Sequence, residues 1–207
     1  MGVNQMTNRY TKDYFMNYGE NNKPYEWNGA YEKYCEKFKV LFNPKKVLDV
    51  SCATGLYLKG WKMVGVEAEG CDISKWAIDN PVELGLKTQV ADITKPLPYA
   101  DNSFDLVMCF DTLEHLEKEQ LPIVMKELRR ISSNRVVLTT VFKGMPGHAV
   151  KWAGDVTHKI WEDKGWWLEA LDCDHYGYFI LPYEITYEDR MGLTPLLDQL
   201  IVTGVEE

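Results

Sequence analysis

No stretch of the chain reaches the roughly 18 consecutive apolar residues that a membrane-spanning helix needs. Positive charge is scarce too. Lys and Arg number 23 against 31 Asp and Glu, for a formal net charge of −8, and no basic cluster stands out. That balance disfavours a nucleic-acid partner, whose phosphates call for a basic face. The five cysteines (Cys35, Cys52, Cys71, Cys109 and Cys173) are odd in number and form no C-x-x-C pair. This excludes a disulfide framework and a thiolate metal knuckle, and fits reduced thiols. No H-E-x-x-H or similarly compact ligand set occurs, so no metal is expected. Residues 1–18 lack the apolar core of a signal peptide, and with the reduced thiols this leads to an expected cytoplasmic location. Repeats and low-complexity linkers are absent. What is present is 207 residues, 45% of them hydrophobic, enough for one α/β domain with a full core.

The chain is organised around Val47-Leu48-Asp49-Val50-Ser51-Cys52-Ala53-Thr54-Gly55. Its first four residues read as a central parallel strand, short and apolar with Asp49 near its carboxyl end. A loop of small residues follows, and Leu56-Tyr57-Leu58 opens a helical pattern. Small side chains in such a place let backbone N–H groups approach a ligand at a helix N-terminus. In open α/β sheets, ligands bind outside the carboxyl ends of the strands. The loop is therefore expected to hold a nucleoside cofactor. The dinucleotide fingerprint G-x-G-x-x-G requires glycines where this loop has Ser51, Ala53 and Leu56, so a pyrophosphate grip is disfavoured. A dehydrogenase is accordingly the weakest functional reading.

The stretch resembles motif I of the class I S-adenosylmethionine-dependent methyltransferases, L-D-x-G-C-G/A-T/S-G, and the methyltransferase-11-like group of small-molecule enzymes in particular. Ser51 replaces the motif's first Gly. The resemblance covers residues 45–140 most strongly. It implies a Rossmann-like, doubly wound seven-stranded sheet, mostly parallel, with one antiparallel strand near the C-terminus. It also implies S-adenosyl-L-methionine as cofactor, with Asp49, Ser51, Ala53 and Gly55 at its amino-acid tail. The division expected is an N-terminal aromatic arm and helix over residues 1–42, and a cofactor-binding domain over 43–207 as one globular unit.

The rest of the chain is read in order. Residues 1–30 are too aromatic for a disordered tail. They read as an arm packed on the domain or as a lid over cofactor or substrate, with Tyr14 among its rings. Tyr31, Tyr34, Phe38 and Leu41 mark a helix over 29–42 that ends at Asn43-Pro44. A second strand is expected over 69–73, followed by Ser74 as N-cap of a helix over 75–80. Asp72 stands 23 residues after Asp49, at the end of this next strand, where an acid can accept from both ribose hydroxyls. Gly70-Cys71-Asp72-Ile73-Ser74 matches the family's G-x-D-I-S, and Ile73 and Trp76 are expected as apolar walls for adenine. A third strand over 87–91 runs into Asp92-Ile93. In the resembling family an Asp here accepts from the adenine amino group, and the next residue faces the ring.

Residues 104–110 read as strand four, followed by Asp111-Thr112-Leu113-Glu114-His115, close to the family's loop ending in L-E-H. Phe110 and Asp111 are placed beside the reaction centre, and His115 as either a loop brace or a general base. Asp105 is expected to anchor the strand's start. Leu121, Val124, Leu128 and Ile131 define an amphipathic helix over 118–131, and 135–140 a fifth strand. Residues 141–155 are expected as a loop rimming the substrate pocket. Asp155-Val156-Thr157-His158 resembles a D-x-T-H element of some small-molecule and glycan methyltransferases, which makes His158 a candidate base or substrate clamp. Residues 161–171 read as the last helix, with strands over 176–185 and 199–205.

The function expected is transfer of a methyl group to an oxygen or nitrogen of a small, sugar-derived or other metabolite acceptor. The tentative catalytic residues are His115, His158 and Asp111. No nucleic acid or membrane partner is expected, and the oligomeric state stays open. The alternative is a non-catalytic adenosyl-binding or scaffolding protein on the same fold.

Overall fold

The computed structural model describes residues 9–16, 27, 29–140, 142–143, 157–171, 175–179 and 198–204, the last two stretches as backbone. In chain order the elements are α1 (Lys12–Met16), α2 (Ala30–Phe42), β1 (Lys46–Val50), α3 (Leu56–Met63), β2 (Glu67–Asp72), α4 (Lys75–Asp79), β3 (Lys87–Val90), β4 (Phe104–Cys109), α5 (Leu121–Ile131), β5 (Ser132–Leu138), α6 (Lys164–Leu171), β6 (His175–Phe179) and β7 (Asp198–Gly204). The strands pair in the order β3-β2-β1-β4-β5-β7-β6. The five from β3 to β5 are parallel, while β7 pairs antiparallel with β5 and with β6. The chain winds outward from β1 to β3, then returns to lay β4 on the other side of β1. That reversal opens a crevice at the carboxyl ends of β1 and β4.

Alternation along the strands explains why the central ones read as continuous apolar runs. Leu48, Val50, Val107, Cys109, Val136 and Leu138 join one core with α5 and α6. Val47, Leu106, Met108 and Val137 point the other way, into a core with Tyr34, Cys35 and Phe38 of α2 and Trp61 of α3. Both faces are covered, as a parallel sheet demands. Trp61 is fully buried and donates its indole N–H to Met108 Sδ at 3.2 Å. At Gly60, an added Cβ would fall 2.8 Å from both Cys35 Sγ and the Tyr31 carbonyl, so α2 and α3 cross at van der Waals distance. The four described cysteines are free and buried; Cys173 lies outside the described residues.

Several boundaries depart from the sequence reading, each for a local reason. β2 starts two residues early, at Glu67, where Lys87 pairs with its carboxylate across the strand pair. The helix expected from 118 begins with a 3-10 turn over Lys118–Gln120, held by a Glu117–Gln120 capping box, and becomes α-helical only at Leu121. Pro122 then sits in the first turn, where its missing N–H has no consequence. β5 begins at Ser132 rather than 135, because polar Ser132 pairs with Phe104 before a bulge restores register at Arg135. α6 begins at Lys164 rather than 161. Asp163 caps it by accepting from the Trp166 N–H at 2.9 Å, and the residues before it are held extended by a bridge between Lys143 and Asp163. Asp105 does anchor β4, accepting the N–H groups of Lys45 and Lys46 at 2.8 and 3.0 Å. Of the expected rim loop, residues 141 and 144–155, including His148, lie outside the described residues.

Candidate functional site

The carboxyl ends of β1, β2, β3 and β4 share one edge through the registers Val50↔Cys71, Asp72↔Val90 and Val50↔Cys109. A cleft of about 240 Å³ opens there. The loop after β1 is folded back onto β2. Ser51 and Cys52 donate their N–H groups to the Cys71 carbonyl at 2.7 and 3.0 Å, and Ala53 N–H reaches Asp72 Oδ2 at 2.8 Å. This path puts Ser51 at φ 65°, Ala53 at φ 49° and Gly55 at φ 86°. Only the last is free of Cβ strain. Gly55 then leads directly into α3.

Asp72 is 7% exposed, and its other oxygen accepts the Ser74 N–H at 2.7 Å. Burial raises its pKa, while those backbone bonds pull it down. Asp49 is buried more completely, with the Asp72 charge nearby, and its pKa is pushed up to about 8. Asp92 lines the cleft as well, and it also ties its own turn by accepting the N–H and hydroxyl of Thr94. Asp111 sits at the far end with φ 46°. Its N–H is shared between the Thr139 carbonyl and hydroxyl, and that hydroxyl donates to Asp111 Oδ1 at 2.9 Å. The side chain lines the cleft, and the residue is exposed there. The loss of water raises its pKa, and Thr139 and the charge of His158 oppose the rise.

Two aromatic walls flank these acids. One comes from the arm: Tyr10, Tyr14 and Phe15 line the cleft. Ser74 fastens them by donating its hydroxyl to the Tyr10 carbonyl at 2.6 Å while capping α4 through the Ala77 N–H. The other joins Tyr31, Tyr57 and Phe110, with centroid distances of 5.0 Å from Tyr31 to Tyr57 and 5.2 Å from Tyr57 to Phe110. Beyond Asp111 the lining continues through Thr112, His115 and Leu116.

Of the residues singled out in the sequence, Asp49, Ser51, Ala53, Asp72, Ile73, Asp92, Ile93, Phe110, Tyr14, Asp111 and His115 line this cleft. Three do not. Gly55 stands behind the loop, where an added Cβ would meet Leu86 at 2.9 Å. Trp76 is stacked on Phe15 at 5.5 Å, so Phe15 holds the wall position expected of Trp76. His158 lies one layer back, its ring 4.8 Å from that of His115. The sequence reading missed Tyr57, Thr94, Thr112 and Leu116. Tyr57 was within reach of it, since the first turn of the helix after a ligand loop commonly faces that ligand.

The charge of the lining decides what fits. Four carboxylates border the cleft, and among the described residues lining it there is no Lys or Arg. A diphosphate would meet acidic side chains and no cationic one among them. The lining offers acidic side chains to a cation or to hydroxyl donors, and aromatic and apolar side chains to a flat base. A family profile described as a methyltransferase domain matches residues 48–138. That match takes in the cleft-forming strands from β1 to β5. The parallel sheet agrees in shape with the crystal structure of a SAM-dependent methyltransferase from Archaeoglobus fulgidus. The TM-score is 0.65 at 18% identity, over 84% of this chain and 94% of that one. Among curated proteins the chain is similar to "Probable pectin methylesterase CGR2" of Arabidopsis thaliana, at 46% identity over 59 residues, covering 28% of this chain and 22% of the relative. It is also similar to "Probable pectin methylesterase CGR3" of the same plant, at 34% over 84 residues, covering 39% and 31%. The matched part thus spans under a third of those relatives' length. Among the described residues, no helix is long and apolar enough to cross a membrane.

Proposed function

We propose that the enzyme methylates an oxygen or nitrogen of a small, carbohydrate-type acceptor, and that the anionic cleft holds the donor in a fixed orientation. The observation that carries this reading is a lining with four Asp side chains and no Lys or Arg among the described residues. When bound, S-adenosylmethionine supplies a methyl group on a sulfonium, which leaves by in-line displacement. The protein's part is positioning and charge. In this assignment Asp72 accepts from the ribose hydroxyls with lone pairs its backbone partners do not use, and Asp92 accepts from the adenine amino group. Ile73 and Ile93 cover the base. Asp49, Ser51 and Ala53 face the amino-acid tail, and the Asp49 carboxylate pairs with its ammonium. Tyr14, with Tyr10 and Phe15, closes over the cofactor. Gly55 and Trp76 serve indirectly, one by letting α3 start and the other by backing Phe15.

The acceptor end is then formed by Phe110, Asp111 and His115, with His158 behind. Asp111 and His158 are within electrostatic reach, and the raised pKa of Asp111 suits a group that takes a proton from a hydroxyl acceptor. The pectin in the names of the two plant relatives supports a sugar-derived acceptor. The acidic balance speaks against nucleic acid. We take residues 1–42 as arm and helix on a domain spanning 43–207, and the complete sheet as seven-stranded with β7 as its antiparallel member.

Calorimetry with S-adenosylmethionine and with NAD tests the cofactor side: micromolar binding of the first and none of the second is expected. Transfer of labelled methyl to a panel of uronic acids, neutral sugars and amino sugars tests the acceptor. Labelling confined to a nucleic acid or protein fraction would refute it.

A further inference from the structure

We propose that Glu114, His115 and His158 form a binding site for one divalent first-row transition-metal ion at the acceptor end of the cleft. One donor atom of each residue lies within 4.8 Å of the others. Two imidazoles and a carboxylate are a donor set for ions of the zinc, cobalt, iron and manganese group, rather than for calcium or magnesium, which favour oxygen alone. Donors around such an ion stand about 3.4 Å apart in a tetrahedron with bonds near 2.1 Å. Side-chain adjustments of about an ångström therefore close the set.

The three are not neighbours by accident of surface. Glu114 is 1% exposed, and its backbone carbonyl accepts the N–H groups of Lys159 and Ile160 at 2.8 and 3.0 Å. Those two bonds bring the segment carrying His158 onto the loop carrying His115. Outer contacts already orient the donors. The Thr157 hydroxyl meets His115 Nδ1 at 2.9 Å, which assigns the ring's Nε2 to the ion, and the Thr140 hydroxyl donates to Glu114 Oε2 at 3.2 Å. Such outer partners fix the rotamer and tautomer of metal ligands. Spacing in the sequence hid the set, because Thr157 and His115 are 42 residues apart.

His115 lines the cleft, so an ion held there borders the place of the acceptor, and its further ligand is an oxygen of that acceptor. This last step rests on the methyltransferase reading; the ion site itself does not. Asp111, on the cleft side, then takes the proton of a bound hydroxyl.

The test uses the untagged full chain, stripped with a chelator and titrated with Co²⁺ under visible absorbance and calorimetry. One equivalent is expected to bind at micromolar concentration or below, with d–d bands of nitrogen ligation. His158→Gln is expected to weaken binding by more than about tenfold and Thr157→Val by about tenfold, the loss typical of an outer partner. Circular dichroism reports whether each variant folds, and Thr157→Val decides alone if His158→Gln does not. Absence of saturable binding, or unchanged affinity in the folded variants, overturns the site. S-adenosylhomocysteine binding by the stripped protein is measured in parallel. Its loss with Co²⁺ binding intact would sink the cofactor reading and leave the ion site standing.

Discussion

Asp49 offers the most demanding test of the cofactor geometry, because its protonation state must change when the ligand arrives. In the free protein, burial and the adjacent Asp72 hold its pKa at about 8, so at neutral pH the group carries its proton. A cation placed against it reverses the balance and favours the carboxylate. Binding below about pH 8 must therefore expel a proton, roughly 0.9 per site at about pH 7 and about 0.1 at pH 9. Affinity must rise by up to about tenfold per pH unit until pH nears 8, and then level off as the ligand's own α-amino group begins to deprotonate. Calorimetry with S-adenosylhomocysteine in two buffers of different ionisation heat counts the proton directly. Asp49→Asn should remove it, and so should 5′-methylthioadenosine, which has no amino-acid tail. A release near zero with wild type at neutral pH, or equal release by the Asn variant, would refute the pairing of Asp49 with the ammonium. The same linkage sets the stability of the ligand-free protein. Between the ordinary carboxylate pKa and about 8 the folded chain holds a proton the unfolded chain has lost. This contribution is full in acid and disappears as pH rises through 8, a change on the order of 5 kcal/mol if nothing else compensates.

Replacing Asp72 by Ala removes the acceptor of two backbone N–H groups as well as the proposed ribose partner. S-adenosylhomocysteine affinity should fall by about 100-fold, since charge-assisted bonds are worth roughly 1.5–3 kcal/mol each. A change under about threefold in calorimetry would dismiss the ribose role. Ser51→Gly should raise stability by about 0.5–1 kcal/mol in urea titration, because relief of left-handed strain outweighs the added unfolded-state entropy; a loss would mean the hydroxyl matters more than the backbone. Trp61→Ala should cost about 3–5 kcal/mol by the same method, and a value under 1 would contradict the close packing of α3 on β4. Asp105→Ala should cost about 1–3 kcal/mol by leaving the Lys45 and Lys46 N–H groups unmatched, with cofactor affinity unchanged.

The parallel half of the fold was legible because its signals are local. Apart from Asp49 and Asp105, Val47 to Val50 and Phe104 to Cys109 are apolar on both faces, as doubly covered strands must be, and Asp49, Asp72 and Asp92 stand where such strands end. The parts that sequence could not supply are contacts between distant segments. Nothing in Tyr10 announces that its carbonyl meets Ser74, 64 residues on, and without that bond the arm's aromatics have no fixed place. Trp76 was misplaced for the same reason: helical spacing puts it near the base, but Phe15 arrives from the arm and stacks over it. His158 was recognised as a loop histidine with no partner in view. Its partner is set by the Glu114 carbonyl, a backbone group that carries no sequence signature.

The strained loop and the two inner carboxylates act as one device. Ser51 and Ala53 are held at positive φ only because Cys71 and Asp72 accept their loop's N–H groups. That in turn requires the loop to lie flat on β2. Gly70 permits it: an added Cβ there would sit 2.7 Å from Cys52 Sγ and from Leu58. A side chain at position 70 would lift the loop, break the Ala53–Asp72 bond and turn Asp72 away from the sugar it is proposed to hold. Gly70→Ala should therefore weaken S-adenosylhomocysteine binding as Asp72→Ala does, although residue 70 does not line the cleft. If affinity survives while stability falls, the loop and the carboxylate are independent, and the orientation of Asp72 comes from Ser74 alone.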